Sequence, residues 1–120
     1  MAGTIKQTTI LTLTNGIHKE TFNVTNLSIT QTGQGQWRPV LSIGTTEESY
    51  SSFGDVATPG RCIIQNLDDT NYVKVGFSTG VYGLRIPPGE HIDVRLEPGL
   101  TLYMIANSAA CKVLIWILEG

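Results

Sequence analysis

From residue 61 to residue 118 the chain repeats one pattern, a short run of alternating apolar and polar side chains closed by a turn of Gly, Pro, Asn or Asp. The runs cover residues 61–67, 72–77, 81–86, 91–96, 100–106 and 111–118, at steps of about 10 residues. A side-chain period of two belongs to strands, and short strands so spaced predict an all-β sandwich or barrel. No segment carries the 3.6-residue apolar period of a helix, so no substantial helix is expected.

The turns carry their own chemistry. Pro88-Gly89 and Pro98-Gly99 supply φ near −65° followed by φ > 0, the sequence of a type II turn. Asn15-Gly16, between alternating residues 9–14 and 17–24, predicts a two-residue type I′ hairpin. Residues 27–32 alternate again as a further strand, and residues 37–43 form another in which Pro39 removes a ladder donor, placing it at an edge or a strand start. Residues 44–60 are the least patterned, a long loop holding one short strand at 49–53. In all, about 8–10 short strands are expected in one antiparallel β-sandwich over residues 1–120, with residues 1–9 available as an extended N-terminal arm.

Two strands say most about the surface. In residues 91–96, Ile92, Val94 and Leu96 share one face while His91, Asp93 and Arg95 share the other, which is therefore wet. Residues 112–118 are apolar on both faces. Such a strand is either central and covered twice or presents a face to another subunit, and one small domain has little with which to cover both.

At 120 residues the chain suits a single domain with one core. Charged residues make up 15%, against about 25% in a typical protein, so much of the polar surface is Thr, Ser, Asn and Gln. The net charge of −2 is spread without basic runs, which argues against nucleic acid as a partner. No apolar run approaches the roughly 20 residues of a membrane span, and the N-terminus lacks a secretory pattern, so a soluble, non-exported protein is expected. Cys62 and Cys111 lie in apolar strands and are expected as buried free thiols.

Candidate chemistry is sparse. Pro88-Gly89-Glu90-His91 resembles the second motif of cupins, but the His-X-His and Glu of their first motif are missing. His18 stands beside Lys19 and Glu20 on what reads as a solvated strand face. Glu47-Glu48 and Asp68-Asp69 sit in a loop and a turn rather than across a cleft, as glycosidase chemistry requires. The Gly33-Gln-Gly-Gln36 stretch precedes a strand, which excludes a phosphate loop. No catalytic residue, cofactor or metal is expected. Contact residues are better candidates: Trp37 with Arg38 as an exposed anchor after the glycine-rich stretch, and Val113, Ile115, Trp116 and Ile117 on the two-sided strand.

Residues 60–76 (Gly-Arg-Cys-Ile-Ile-Gln-Asn-Leu-Asp-Asp-Thr-Asn-Tyr-Val-Lys-Val-Gly), 84–90 (Leu-Arg-Ile-Pro-Pro-Gly-Glu) and 102–113 (Leu-Tyr-Met-Ile-Ala-Asn-Ser-Ala-Ala-Cys-Lys-Val) together resemble small head proteins of tailed bacteriophages. These are capsid decoration, or cement, proteins with a sandwich or jelly-roll body. The resemblance spans residues 60–118 and implies a jelly-roll-like fold and a homotrimer bound to a major capsid protein. It further implies a non-enzymatic virion component on the capsid surface, made in the host bacterial cytoplasm. A rival expectation of another class is a carbohydrate- or receptor-binding fibre or tail module.

Overall fold

The computed structural model describes residues 3–31 and 33–120, and the chain divides into two units, Met1–Gly33 and Gln34–Gly120. In the first, β1 (Gly3–Asn15) and β2 (His18–Gln31) form one long antiparallel ribbon. It is longer than expected from sequence. Residues 3–7 pair with residues 27–31, so the anticipated separate strand at 27–32 is a continuation of β2, and residues 3–7 and 9 of the anticipated arm are paired rather than free. Met1, Ala2 and Thr32 lie outside the described residues.

The ribbon passes the break by an irregularity in which residues 25 and 26 face Thr8. Asn26 takes φ 54° there and donates its N–H to the Thr8 hydroxyl at 3.0 Å. Asn is one of the few side chains that accept this left-handed backbone. The tip also differs from expectation. Asn15 pairs with His18, so the turn residues are Gly16 and Ile17, and Gly16 at φ 59° supplies the first position of a type II′ turn.

The second unit is built from β3 (Gln36–Trp37), β4 (Val40–Ile43), β5 (Glu48–Tyr50), β6 (Pro59–Asn66), β7 (Val73–Gly76), β8 (Leu84–Ile86), β9 (His91–Arg95), β10 (Leu102–Ala106) and β11 (Cys111–Glu119). With the ribbon this makes eleven strands and no helix among the described residues. Four antiparallel pairs are nested: β4 with β11, β5 with β10, β6 with β9 and β7 with β8. Two more pairings, β11 with β6 and β10 with β7, roll this nest into two sheets, β4-β11-β6-β9 and β5-β10-β7-β8, with β3 added beside β11. That is the jelly-roll order of an antiparallel β-sandwich.

Alternation puts the core between the sheets. Cys62 and Ile64 of β6 and Val113, Ile115 and Ile117 of β11 face Val73, Val75, Ile86, Leu102 and Met104, all essentially without solvent exposure. Pro39 splits the expected 37–43 strand into β3 and β4, but its carbonyl still accepts the Ile115 N–H at 3.0 Å, so the edge stays attached. Within 49–53, only residues to 50 belong to β5. Phe53 folds back in a bridge to Val56 and enters the core. The Pro-Gly turns form as the sequence suggests: the Glu90 N–H donates to the Pro87 carbonyl at 3.1 Å, and Gly89 and Gly99 take φ 77° and 85°.

One buried polar side chain ties the roll together. The Asn66 amide donates to the Asn71 carbonyl at 2.8 Å and the Ile86 carbonyl at 3.1 Å, while its oxygen accepts the Asp68 N–H at 2.9 Å. It therefore joins the end of β6 to β8 and to the turn leading into β7. Replacing it, Asn66→Ala, strands the buried Ile86 carbonyl and leaves the partly buried Asn71 carbonyl and Asp68 N–H without their partner, and is expected to cost about 2–4 kcal/mol. Urea unfolding measures this directly, and the thermal midpoint should fall by more than about 8 °C.

Candidate interaction surface

The outer face of the β11 sheet is half apolar. Leu114, Trp116 and Leu118 alternate with the buried row of β11, and pairing sets Val40 opposite Leu114 and Ile63 opposite Trp116. Val40 is 57% exposed, and Leu114, Trp116, Leu118 and Ile63 are half-buried. Two residues from β3 and the segment after it frame the indole. The Arg38 guanidinium carbon lies 4.8 Å from the Trp116 ring centroid, and Trp116 Nε1 donates to Gln36 Oε1 at 3.1 Å. Toward the β9 edge the face turns polar, with Arg61 opposite Arg95, Ile63 opposite Asp93 and Gln65 opposite His91. Arg61 and Asp93 form an ion pair at 4.0 Å. An aromatic and aliphatic centre with a charged rim has the composition of a protein contact patch.

The structure redistributes the candidates named from sequence. Val113, Ile115 and Ile117 point into the core and are fully buried. Trp116 and Arg38 come together on the outer face. Trp37 is half-buried rather than free in solvent, its ring centroid 5.5 Å from Phe53 and 6.1 Å from Tyr50. Gly54, at φ 60°, makes room for that packing, because a Cβ there would come within 2.8 Å of Trp37 Cδ1. Leu114, Leu118 and Val40 were not singled out by sequence reasoning. For Leu114 and Leu118 the signal is parity within residues 112–118, which can be read only once one face is known to be inside, and Val40 joins them only through its pairing with Leu114.

The opposite sheet carries Tyr72, Tyr82 and Tyr103, the rings a sugar would stack on. The Tyr72 face is already taken by Arg85, 4.2 Å from its centroid, with the Lys74 ammonium at 5.9 Å. The Tyr82 hydroxyl donates to Glu47, which also accepts the Gly80 N–H at 2.8 Å. These bonds hold the Glu47 carboxyl below its ordinary range, and the bond to Glu47, then partial burial, raises the Tyr82 phenol.

Several of the remaining carboxylates are engaged locally. Glu48 accepts the Gly44 N–H at 2.7 Å and the Tyr50 hydroxyl at 3.2 Å, so the two carboxylates at 47 and 48 bind different partners. Asp68 accepts the Thr70 and Asn71 N–H groups, which holds its own carboxyl below the usual range, and Asp69 accepts the Thr70 hydroxyl. Both cysteines are buried and free. Burial, then the Asp93 charge, pushes the Cys62 thiol up to about 12, and burial raises Cys111 as well, so neither is a ready nucleophile. His91 is exposed at the start of β9, and the His18 side chain lies outside those described. Among the described residues no three His, Cys, Asp or Glu side chains cluster as metal ligands. An apolar cleft of about 560 Å³ opens between edge strands β8 and β9, lined by Phe77, Leu84, Val94, Leu96 and Leu100. Among the described residues no helix is long and apolar enough to cross a membrane.

Compared with protein-family models, curated proteins and solved structures, the chain matches none.

Two measurements check these placements. In Glu47→Ala the Tyr82 phenol should titrate at lower pH than in the wild type, as followed by tyrosinate absorbance. Cys62 and Cys111 should stay inert to a thiol reagent at pH 8 in the native protein and react fully once unfolded, where their pKa returns to about 8.5.

Proposed function

We propose that this protein is a non-enzymatic structural component that binds a larger assembly by surface contact, specifically a decoration protein on a bacteriophage capsid that grips the major capsid protein as a trimer. The observation that carries the reading is the outer face of the β11 sheet, where Trp116, flanked by Arg38, sits among Val40, Leu114, Leu118 and Ile63. Tryptophan and arginine dominate the energetics of protein contacts, and an aliphatic surround excludes water from them. The similarity of residues 60–118 to phage head proteins points the same way. Jelly rolls serve capsid, lectin and cupin proteins alike, so the fold alone does not choose among these, and the reading rests on the surface.

Contact with a repeating shell needs no strong single site. Weak binding by each copy is multiplied by effective concentration when a trimer engages several shell subunits at once. Carbohydrate binding by a fibre or tail module is the less favoured reading, because Arg85 and Lys74 occupy the ring face that a sugar would need on Tyr72.

Co-sedimentation with capsids lacking the decoration layer tests the proposal, with a glycan array run in parallel. The wild type should pellet with capsids, and Trp116→Ala should weaken binding at least about tenfold, the effect of losing a central anchor worth roughly 2 kcal/mol. Arg38→Ala should act in the same direction. Wild-type binding by both variants, or glycan binding without capsid binding, would refute it.

A further inference from the structure

The ribbon of residues 3–31 has two unlike faces. Register places Leu11 opposite Phe22, Leu13 opposite Glu20, Thr9 opposite Val24, Gln7 opposite Leu27 and Ile5 opposite Ile29. Paired residues share a face, so Ile5, Leu11, Leu13, Phe22, Val24, Leu27 and Ile29 line one side. The other side carries Thr4, Lys6, Thr8, Ile10, Thr12 and Thr14, facing Lys19, Thr21, Asn23, Ser28 and Thr30. On the apolar side Leu11 is 68%, Phe22 58% and Leu13 49% exposed.

A two-stranded ribbon has no interior of its own and is at best marginally stable in water until a third layer covers its apolar face. The strands are 13 and 14 residues long, and every described pairing of each is with the other. We propose that this face is covered by the same face of further copies of this chain, so that the ribbon is the self-association element of a multimer.

Charge favours copies over a foreign partner. Of the ribbon's charged side chains with described surroundings, Lys6 and Lys19 belong to the polar side, and Glu20, beside the tip, is the single charge on the apolar side. Apart from Glu20 at its end, the face offers no charge for an oppositely charged surface to select. Meeting its own copy, it buries Leu, Ile, Val and Phe against the same residues, and only the Glu20 carboxylates, at the wet end, repeat a charge. Near that end Leu11, Leu13 and Phe22 border a recess of about 290 Å³ that can receive side chains of a facing copy.

At a rise of about 3.4 Å per residue and a width of about 10 Å, each ribbon offers about 400 Å² of face, so two facing copies bury about 800 Å² together. Contacts between two partners below about 1,200 Å² are weak and reversible, so the multimer is expected to form in a concentration-dependent way.

The experiment places one carboxylate on either side of the ribbon at neighbouring positions. Light scattering on the purified full chain should give a wild-type mass that is a multiple of 13.0 kDa. Leu11→Asp should fall to the single-chain mass while keeping the unfolding transition of the jelly roll, and Thr12→Asp should keep the wild-type mass. In parallel, Leu11→Cys should cross-link into covalent multimers with a short bismaleimide and Thr12→Cys should not, the native thiols being buried. A wild type that stays single-chain at every concentration, a Leu11→Asp protein that keeps its full mass, or equal dispersal by Thr12→Asp overturns the proposal. So does loss of the jelly-roll's own unfolding transition in Leu11→Asp, which would mean that the chain's own second unit covers the face. Capsids that fail to bind a stable multimer would remove the decoration reading and leave this one standing, and a monomer that binds capsids would do the reverse.

Discussion

Everything in the jelly roll depends on β11 being paired on both sides in one register. It hydrogen-bonds β3 and β4 along one edge and β6 along the other, while Val113, Ile115 and Ile117 form the floor of the core. A slip of one residue would carry Trp116 and Lys112 inward and turn the aliphatic floor toward solvent, because strand side chains alternate with a period of two. The outer patch and the core are thus two products of one register. The apolar side chains of the outer face are held in place by those that cannot leave the interior.

The same logic explains why polar side chains occur where they do. Asn66 ends β6 at the point where the chain must leave the sheet, and its amide satisfies carbonyls of two other segments. Glu119 does similar work at the far end of β11, accepting the N–H groups of Ala57 and Thr58 and so fastening the loop before β6. Neither marks a reactive centre. Their carboxamide and carboxylate groups are engaged by backbone, as buried polar groups must be.

Much of this was legible in the sequence, for reasons that are local. Strands β6 to β11 announce themselves by alternation, and Pro88-Gly89 and Pro98-Gly99 by backbone angles that few other residue pairs supply. What could not be read is long-range. Nothing in residues 40–43 says that they will pair with residues 111–114, since nested pairing depends on which apolar faces fit once many strands are present. The bulge at Asn26 breaks alternation for a moment and so disguised one long strand as two. Trp37 read as exposed because its neighbours are Gly, Gln, Arg and Pro, yet the partners that partly cover it, Tyr50 and Phe53, arrive from a loop with little pattern of its own. On the outer face, Trp116 and Arg38 were visible as types, but the meeting of Arg38, just after β3, with Trp116 of β11 was not.

Nesting has a temporal consequence. During translation β7 and β8 can zip as soon as both have left the ribosome, and β6 with β9 soon after, but β4 has no partner until β11 emerges. Closing so large a loop is slow, and the unpaired edges stay sticky in the meantime. A nascent roll therefore holds both apolar sheet faces open until its last strand is made, so closure waits on the very end of synthesis.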